Sequence, residues 1–182
     1  VASLRVGPQT GAAGEPAMPK SAMRKRFGVY YTPPQFTRLI VERTLGQLIV
    51  ERVESIEDPR SRVAALRKLR VVDPACGSGA FLIAAYERLE EAYEVVLHGL
   101  RVKGLADEAV EIERNYAEWI LADNLFGVDL SREAVEITQL ALWIRSARKG
   151  KTLADLSHNI ICGNSLVASP DVHERALNWQ ET

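Results

Sequence analysis

The sequence predicts an α/β fold, a sheet of short buried strands joined by amphipathic helices, with a helical segment ahead of it. Three observations carry this expectation. Residues 69–72 (LRVV) form a short apolar run with Asp73 at its carboxyl end, followed by a loop of small residues and a helix opening near Ala80. Residues 125–129 (LFGVD) repeat the pattern: an apolar run ends in Asp129, and Ser131 then stands as the N-cap of a helix over residues 132–148. Residues 159–162 (NIIC) read as a third short strand.

The chain has 182 residues, 47% of them hydrophobic and 26% charged, enough for one globular domain with a core. A net charge of −1 and a pI near 6.4 argue against a broad nucleic-acid grip, which needs clustered Lys and Arg. Two small basic groups, residues 24–26 and 145–151, have local explanations. The second lies at a helix end, where cations complement exposed carbonyls and Gly150 is placed to stop the helix. No apolar run is long enough to span a bilayer, and the first residues lack a signal-peptide pattern, so the expected location is cytoplasmic with no membrane partner. Cys76 and Cys162 read as reduced thiols used as small apolar residues, and neither they nor His98, His158 and His173 have metal-ligand spacing, so no metal is expected.

In chain order, residues 1–23 are rich in Gly, Ala and Pro and are expected to be a disordered tail. Residues 24–66 form the N-terminal helical segment. It opens on GVYYTPPQF, residues 28–36, where Thr32 suits an N-cap, Pro33 the first helical position and Gln35 the far side of a capping box. Phe36, Leu39, Ile40, Thr44 and Leu48 then recur at helical spacing and predict a core-facing stripe as far as about Val53. Asp58-Pro59 breaks that pattern, and residues 63–68 read as a short helix leading to the first strand. After the glycine loop, Leu82, Ala85, Leu89, Ala92 and Val96 predict a helix ending near Gly99. Ala109, Ile112, Tyr116 and Trp119 predict a second one, so a helical hairpin joins the first two strands. Aromatic residues at this spacing, and Trp143 with its neighbouring leucines, are expected in the core. Beyond residue 171 only Leu177 and Trp179 stand out as anchors.

The glycine loop is the chemically informative stretch. Gly77 and Gly79 remove side chains where a ligand must touch backbone, and the helix start behind them offers free amides. A dinucleotide fingerprint would need a third glycine at position 82, which is Leu82, and no Lys-Ser/Thr pair follows as a phosphate loop requires. DPACGSGAFL, residues 73–82, closely resembles motif I of the S-adenosylmethionine-dependent DNA amino-methyltransferases, whose loop holds the methionine part of the cofactor. The resemblance implies a Rossmann-like sheet, here partial and within residues 67–182, and assigns Asp73, Pro74, Ala75, Cys76, Gly77, Ser78, Gly79 and Phe81 to the cofactor.

Three further blocks extend the resemblance, in the order of the gamma-type enzymes. Tyr31, Thr32, Pro33 and Pro34 match a Tyr-Thr-Pro-Pro phrase whose backbone closes over the methionine end, although helix capping alone also accounts for those residues. GVDLSREAVEITQLALWI, residues 127–144, resembles the block in which an acid takes the two ribose hydroxyls, which assigns Asp129 and Leu130. The separation of 56 residues from Asp73 is accounted for by the inserted hairpin. GNSL, residues 163–166, resembles the block at the adenine end and assigns Asn164, Ser165 and Leu166, with the Asn164 side chain reaching the exocyclic amine.

The family's catalytic phrase, an Asn or Asp followed by two prolines and an aromatic residue, does not occur, since the only Pro-Pro pair is Pro33-Pro34. The resemblance therefore implies the amino-terminal, cofactor-binding part of an adenine-N6 DNA methyltransferase of the restriction-modification or phage-defence type. Such a part binds S-adenosylmethionine and cannot methylate DNA unaided. DNA contacts would come mainly from regions outside this chain, supplied by a carboxyl-terminal half or a partner chain. A non-catalytic binding or assembly subunit and a protein or RNA amino-methyltransferase are the alternatives.

Overall fold

The computed structural model describes residues 32–148 and 152–177. The expected tail, the 24–26 basic group, Tyr31, Gly150 and Trp179 lie outside these. Helix α1 covers residues 34–54 and alternates α turns (Pro34–Val41, Gln47–Ile49) with π turns (Glu42–Gly46, Val50–Glu54). Its N-cap is Pro33, not Thr32, and no side chain caps it. The second proline explains the shift: a residue before proline is driven out of the helical region, Pro33 has ψ 140°, and only Pro34 is left to start the helix.

The face of α1 that meets the core also differs from the expected one. Phe36, Leu39, Ile40 and Thr44 are exposed and Leu48 is half-buried, whereas Thr37, Val41, Leu45, Ile49 and Val53 are buried. Those five are spaced by four. A regular α-helix turns ~100° per residue, so such a row would drift ~40° per step. The two π turns, with their i to i+5 bonds, rotate less and keep the row facing inward.

Helix α2, Pro59–Arg67, starts earlier than expected because Asp58-Pro59 is its cap and first turn: the Asp58 carboxylate accepts from the Ser61 amide at 3.0 Å. Strand β1, Val71–Asp73, leads through the glycine loop into α3, Ala80–Val102. The expected stripe Leu82, Ala85, Leu89, Ala92 and Val96 is buried throughout, joined by Tyr86, Tyr93 and Leu100, none of which retains exposed surface. Each such large side chain contributes ~1.5–3 kcal/mol on burial, which makes α3 the centre of the core. It runs through Gly99, which packs beside Pro59 of α2, and ends instead at Gly104 with φ +75°.

Helix α4, Ala106–Trp119, completes the hairpin and continues through a π turn, Ile120–Asn124, into β2, Leu125–Asp129. The Tyr116 and Tyr93 rings stack at 5.4 Å, so the aromatic residues belong to the core as expected. Helix α5, Arg132–Ser146, is capped by the Ser131 hydroxyl and precedes β3, Ile160–Cys162. Of the leucines beside Trp143, Leu142 is buried and Leu140 is exposed. The basic residues at the end of α5 are paired, Arg145 with Glu87 and Arg148 with Glu90 and the Tyr116 hydroxyl. Cys162 is exposed rather than a core residue.

The strands form one parallel sheet in the order β1-β2-β3. Parallel neighbours need crossover connections, here the α3–α4 hairpin and α5, giving a partial Rossmann-like α/β layer. Gly127 marks a close helix-sheet contact: a Cβ there would lie 2.8 Å from the Leu82 side chain.

Candidate functional site at the carboxyl ends of the strands

In an open parallel sheet ligands bind beyond the carboxyl ends of the strands. Asp73 ends β1, Asp129 ends β2, and Asn164 follows β3 by two residues. Register places Asp73 opposite Gly127 and Asp129 opposite Cys162, so the three groups stand along one edge of the layer.

The glycine loop is held from several sides. The Cys76 amide donates to the Val128 carbonyl at 2.9 Å, extending the β1–β2 pairing into the loop. Gly77 has φ +54°, its amide donates to Asp129 Oδ2 at 2.8 Å, and its carbonyl accepts from the Thr138 hydroxyl of α5 at 2.9 Å. Gly79 is the N-cap of α3 with φ +83°. No side chain caps α3 and no acid lies in its first turn, which leaves the amides at the helix start for an outside acceptor.

The two glycines differ in what surrounds them. A Cβ on Gly79 would approach Thr138 Cγ2 to 2.8 Å, so Gly79 is a packing requirement. A Cβ on Gly77 would meet none of the described residues within 4 Å, so its bareness leaves room beside the loop. Thr138 is the functional candidate that motif reading missed. The available signal was a hydroxyl in the buried row Val135, Thr138, Leu142.

Asp73 carries the clearest unmet demand. Its Oδ1 accepts from the Ala75 amide at 3.1 Å, while Oδ2 is buried without a partner among the described residues. Burial lifts its pKa above the usual carboxylate value, the Ala75 bond opposes this, and the charge of Asp129 adds to the rise. A cation seated against Oδ2 would relieve both burial and repulsion. Cys76, buried beside the two acids, has its thiol pushed up to about 12, first by burial and then by their charges, so it stays protonated and inert.

Asp129 is fully engaged yet not saturated. Oδ1 accepts from the Ser131 amide at 2.8 Å and Oδ2 from Gly77, and a carboxylate has about four acceptor positions. Asn164 Oδ1 accepts from the Leu166 amide at 3.1 Å, closing a turn on itself. The turn is secured by backbone bonds from the Asn164 amide to Arg175 and from the Leu177 amide to Asn164 and Val167. Leu130 and Leu166 are exposed, as are Pro74, Ala75 and Ser78, whereas Phe81 and Ser165 are half-buried. Thr32 and Pro33 lie outside this hydrogen-bond network. The Pro33 carbonyl instead serves α1, accepting from the amides of Phe36 and Thr37. A separate groove runs between α1 and α3, where Arg88 pairs with Glu42 and Arg38 with Glu87.

The family described as "MmeI, DNA-methyltransferase domain" matches residues 51–168. A type II restriction enzyme and methyltransferase of Methanocaldococcus jannaschii is 31% identical over 85% of this chain and 16% of its own length. DNA methyltransferase A of Bacillus subtilis is 24% identical over 80% of the chain and 16% of its own length. The adenine-specific methyltransferase PglX of Streptomyces coelicolor is 26% identical over 81% and 11%. The chain thus spans about a sixth or less of these relatives.

Proposed function

Because the chain belongs to the MmeI DNA-methyltransferase domain family, a family that requires a methyl donor, we propose that it binds S-adenosylmethionine and forms the cofactor-holding part of a DNA adenine-N6 methyltransferase. The observation that carries the reading is the buried Oδ2 of Asp73, unpartnered among the described residues, beside a left-handed Gly77 whose would-be Cβ meets none of them within 4 Å. Both fit this cofactor, whose methionine end is cationic and needs close approach to backbone. Its sulfonium supplies the electrophilic methyl group.

In this reading Asp73 takes the ammonium, and the loop from Pro74 to Gly79 lies along the methionine chain. Asp129 uses its remaining lone pairs for the ribose hydroxyls. Asn164 offers the second lone pair of Oδ1 to the adenine amine, while Leu130 and Leu166 flank the base. Ser165 and Phe81 line the two ends, and Tyr31, Thr32 and Pro33 cover the methionine side. Holding the donor in one orientation is most of what such a transfer asks of the cofactor half. Presenting an adenine requires the base to be swung out and gripped by its Watson-Crick edge, and the phrase that does so is not in these 182 residues. The acceptor side, and with it the main DNA contact, is therefore proposed to come from outside this chain, as is a cytoplasmic setting.

Calorimetric titration with S-adenosylmethionine, with NAD as comparison and Asp129→Ala as control, tests the reading. Saturable binding of the first ligand alone, weakened in the variant, is expected. Binding of NAD instead, or methyl transfer to DNA by the 182-residue chain, would contradict it.

A further inference from the structure

Thr138 lies in the middle of α5, fully buried. A mid-helix threonine ordinarily turns its hydroxyl back to the carbonyl four residues earlier, as Thr44 does to Ile40 at 2.8 Å. Thr138 instead reaches a carbonyl 61 positions away in the sequence, that of Gly77. With the Gly77 amide bound to Asp129, both polar groups of that one residue are held by side chains from other elements.

That matters because sterics do not hold Gly77. It is a glycine with positive φ, and among the described residues no atom lies within 4 Å of a would-be Cβ, so side-chain packing does not fix it. Hydrogen bonds to its amide and its carbonyl do. The same threonine places Cγ2 under Gly79, so both ends of the Gly-Ser-Gly turn rest on it. We infer that Thr138 is a positioning residue for the cofactor, its hydroxyl setting the Gly77 peptide in advance for the methionine end of S-adenosylmethionine. A loop fixed beforehand spares the ligand the ordering cost on binding. This inference rests on the cofactor reading above.

Two variants separate the hydroxyl from the methyl. Thr138→Val keeps the shape and removes the donor; Thr138→Ser keeps the donor and leaves a void. Affinities of the full 182-residue chain would be measured for S-adenosylmethionine and for 5′-methylthioadenosine, which shares the nucleoside and lacks the amino-acid end. The valine variant should lose about tenfold for the first ligand, the order of one hydrogen bond, and less than about twofold for the second. The serine variant should bind both nearly as the parent does, despite a lower melting temperature. Amide hydrogen exchange at Gly77 and Gly79 in the free chain should rise in the valine variant only. Parental affinity in the valine variant, parallel loss for both ligands, or a serine variant worse than valine would overturn the inference. Failure of the parent chain to bind S-adenosylmethionine would overturn the reading beneath it, and unchanged exchange in the valine variant would overturn the positioning role by itself.

Discussion

The glycine loop after β1 and the turn after β3 stand at the same edge of the sheet and are built on opposite plans. Loop 74–79 is fixed from outside: Asp129 and the Val128 carbonyl reach it from β2, and Thr138 reaches it from α5. Turn 163–167 is fixed mostly from within, by Asn164 on the Leu166 amide and by the returning chain at Arg175 and Leu177. Core elements thus fix the first region, whereas the second, apart from the Gly163 amide's bond to the Asp129 carbonyl, is held largely by the chain that follows it. For the proposed S-adenosylmethionine this would be a useful distribution, because its sulfonium would have to be aimed while its adenine end need only be held.

Substitutions in the two regions should differ accordingly. The largest effect is expected for Gly79→Ala, which forces a side chain into left-handed backbone and onto Thr138 at 2.8 Å. Urea denaturation should show a loss of about 2–4 kcal/mol, combining backbone strain with overpacking, and cofactor binding should go with it.

Asp73→Asn comes next and should separate binding from stability. Affinity for S-adenosylmethionine is expected to fall about tenfold to a hundredfold, the worth of a charge-assisted contact. The melting temperature of the free chain at pH 7 should stay level or rise. The sign follows from a folded pKa above the unfolded one: stability from this group is present below the unfolded value and lost as pH rises through the folded value. For the same reason, affinity in the parent chain should rise with pH through a window above the ordinary carboxylate value of 3.8, as Asp73 gives up its proton to face a cation. A flat profile there would remove Asp73 from the contact.

Gly77→Ala should cost only about 1 kcal/mol in stability, the price of left-handed backbone without a clash, yet weaken binding more than it weakens the fold. Equal losses in the two would show that the space beside Gly77 is not used. The smallest effect is expected at the other region. Asn164→Ala should weaken binding by about threefold to fivefold, one neutral hydrogen bond, with adenosine and S-adenosylmethionine affected alike. A larger loss than at Asp73 would reverse the comparison drawn above.

How far these features were legible in the sequence depended on how local their causes are. Strand β2 and helix α5 with its Ser131 cap follow from an apolar run and a cap that act within a few residues, and the central stripe of α3 follows from regular periodicity. The buried face of α1 was not legible, because a period of four selects it only once π turns have changed the winding. The end of α3 was misplaced to Gly99, since a glycine kept for packing on Pro59 looks in sequence like one kept for a turn. At the site, Asp73, Gly77 and Asp129 were readable from a motif and Thr138 was not, because its partner lies 61 positions away. Tyr31 of the upstream phrase lies outside the described residues.

Under the proposed function the carboxyl ends of β1, β2 and β3 hold one S-adenosylmethionine. Amide chemical-shift mapping of the 15N-labelled chain on addition of that ligand tests it most directly. Saturable shifts are expected at Gly77, Ser78, Gly79, Leu130, Ser131 and Leu166, with the groove between α1 and α3 unmoved. Shifts centred on that groove, with the glycine loop silent, would contradict it.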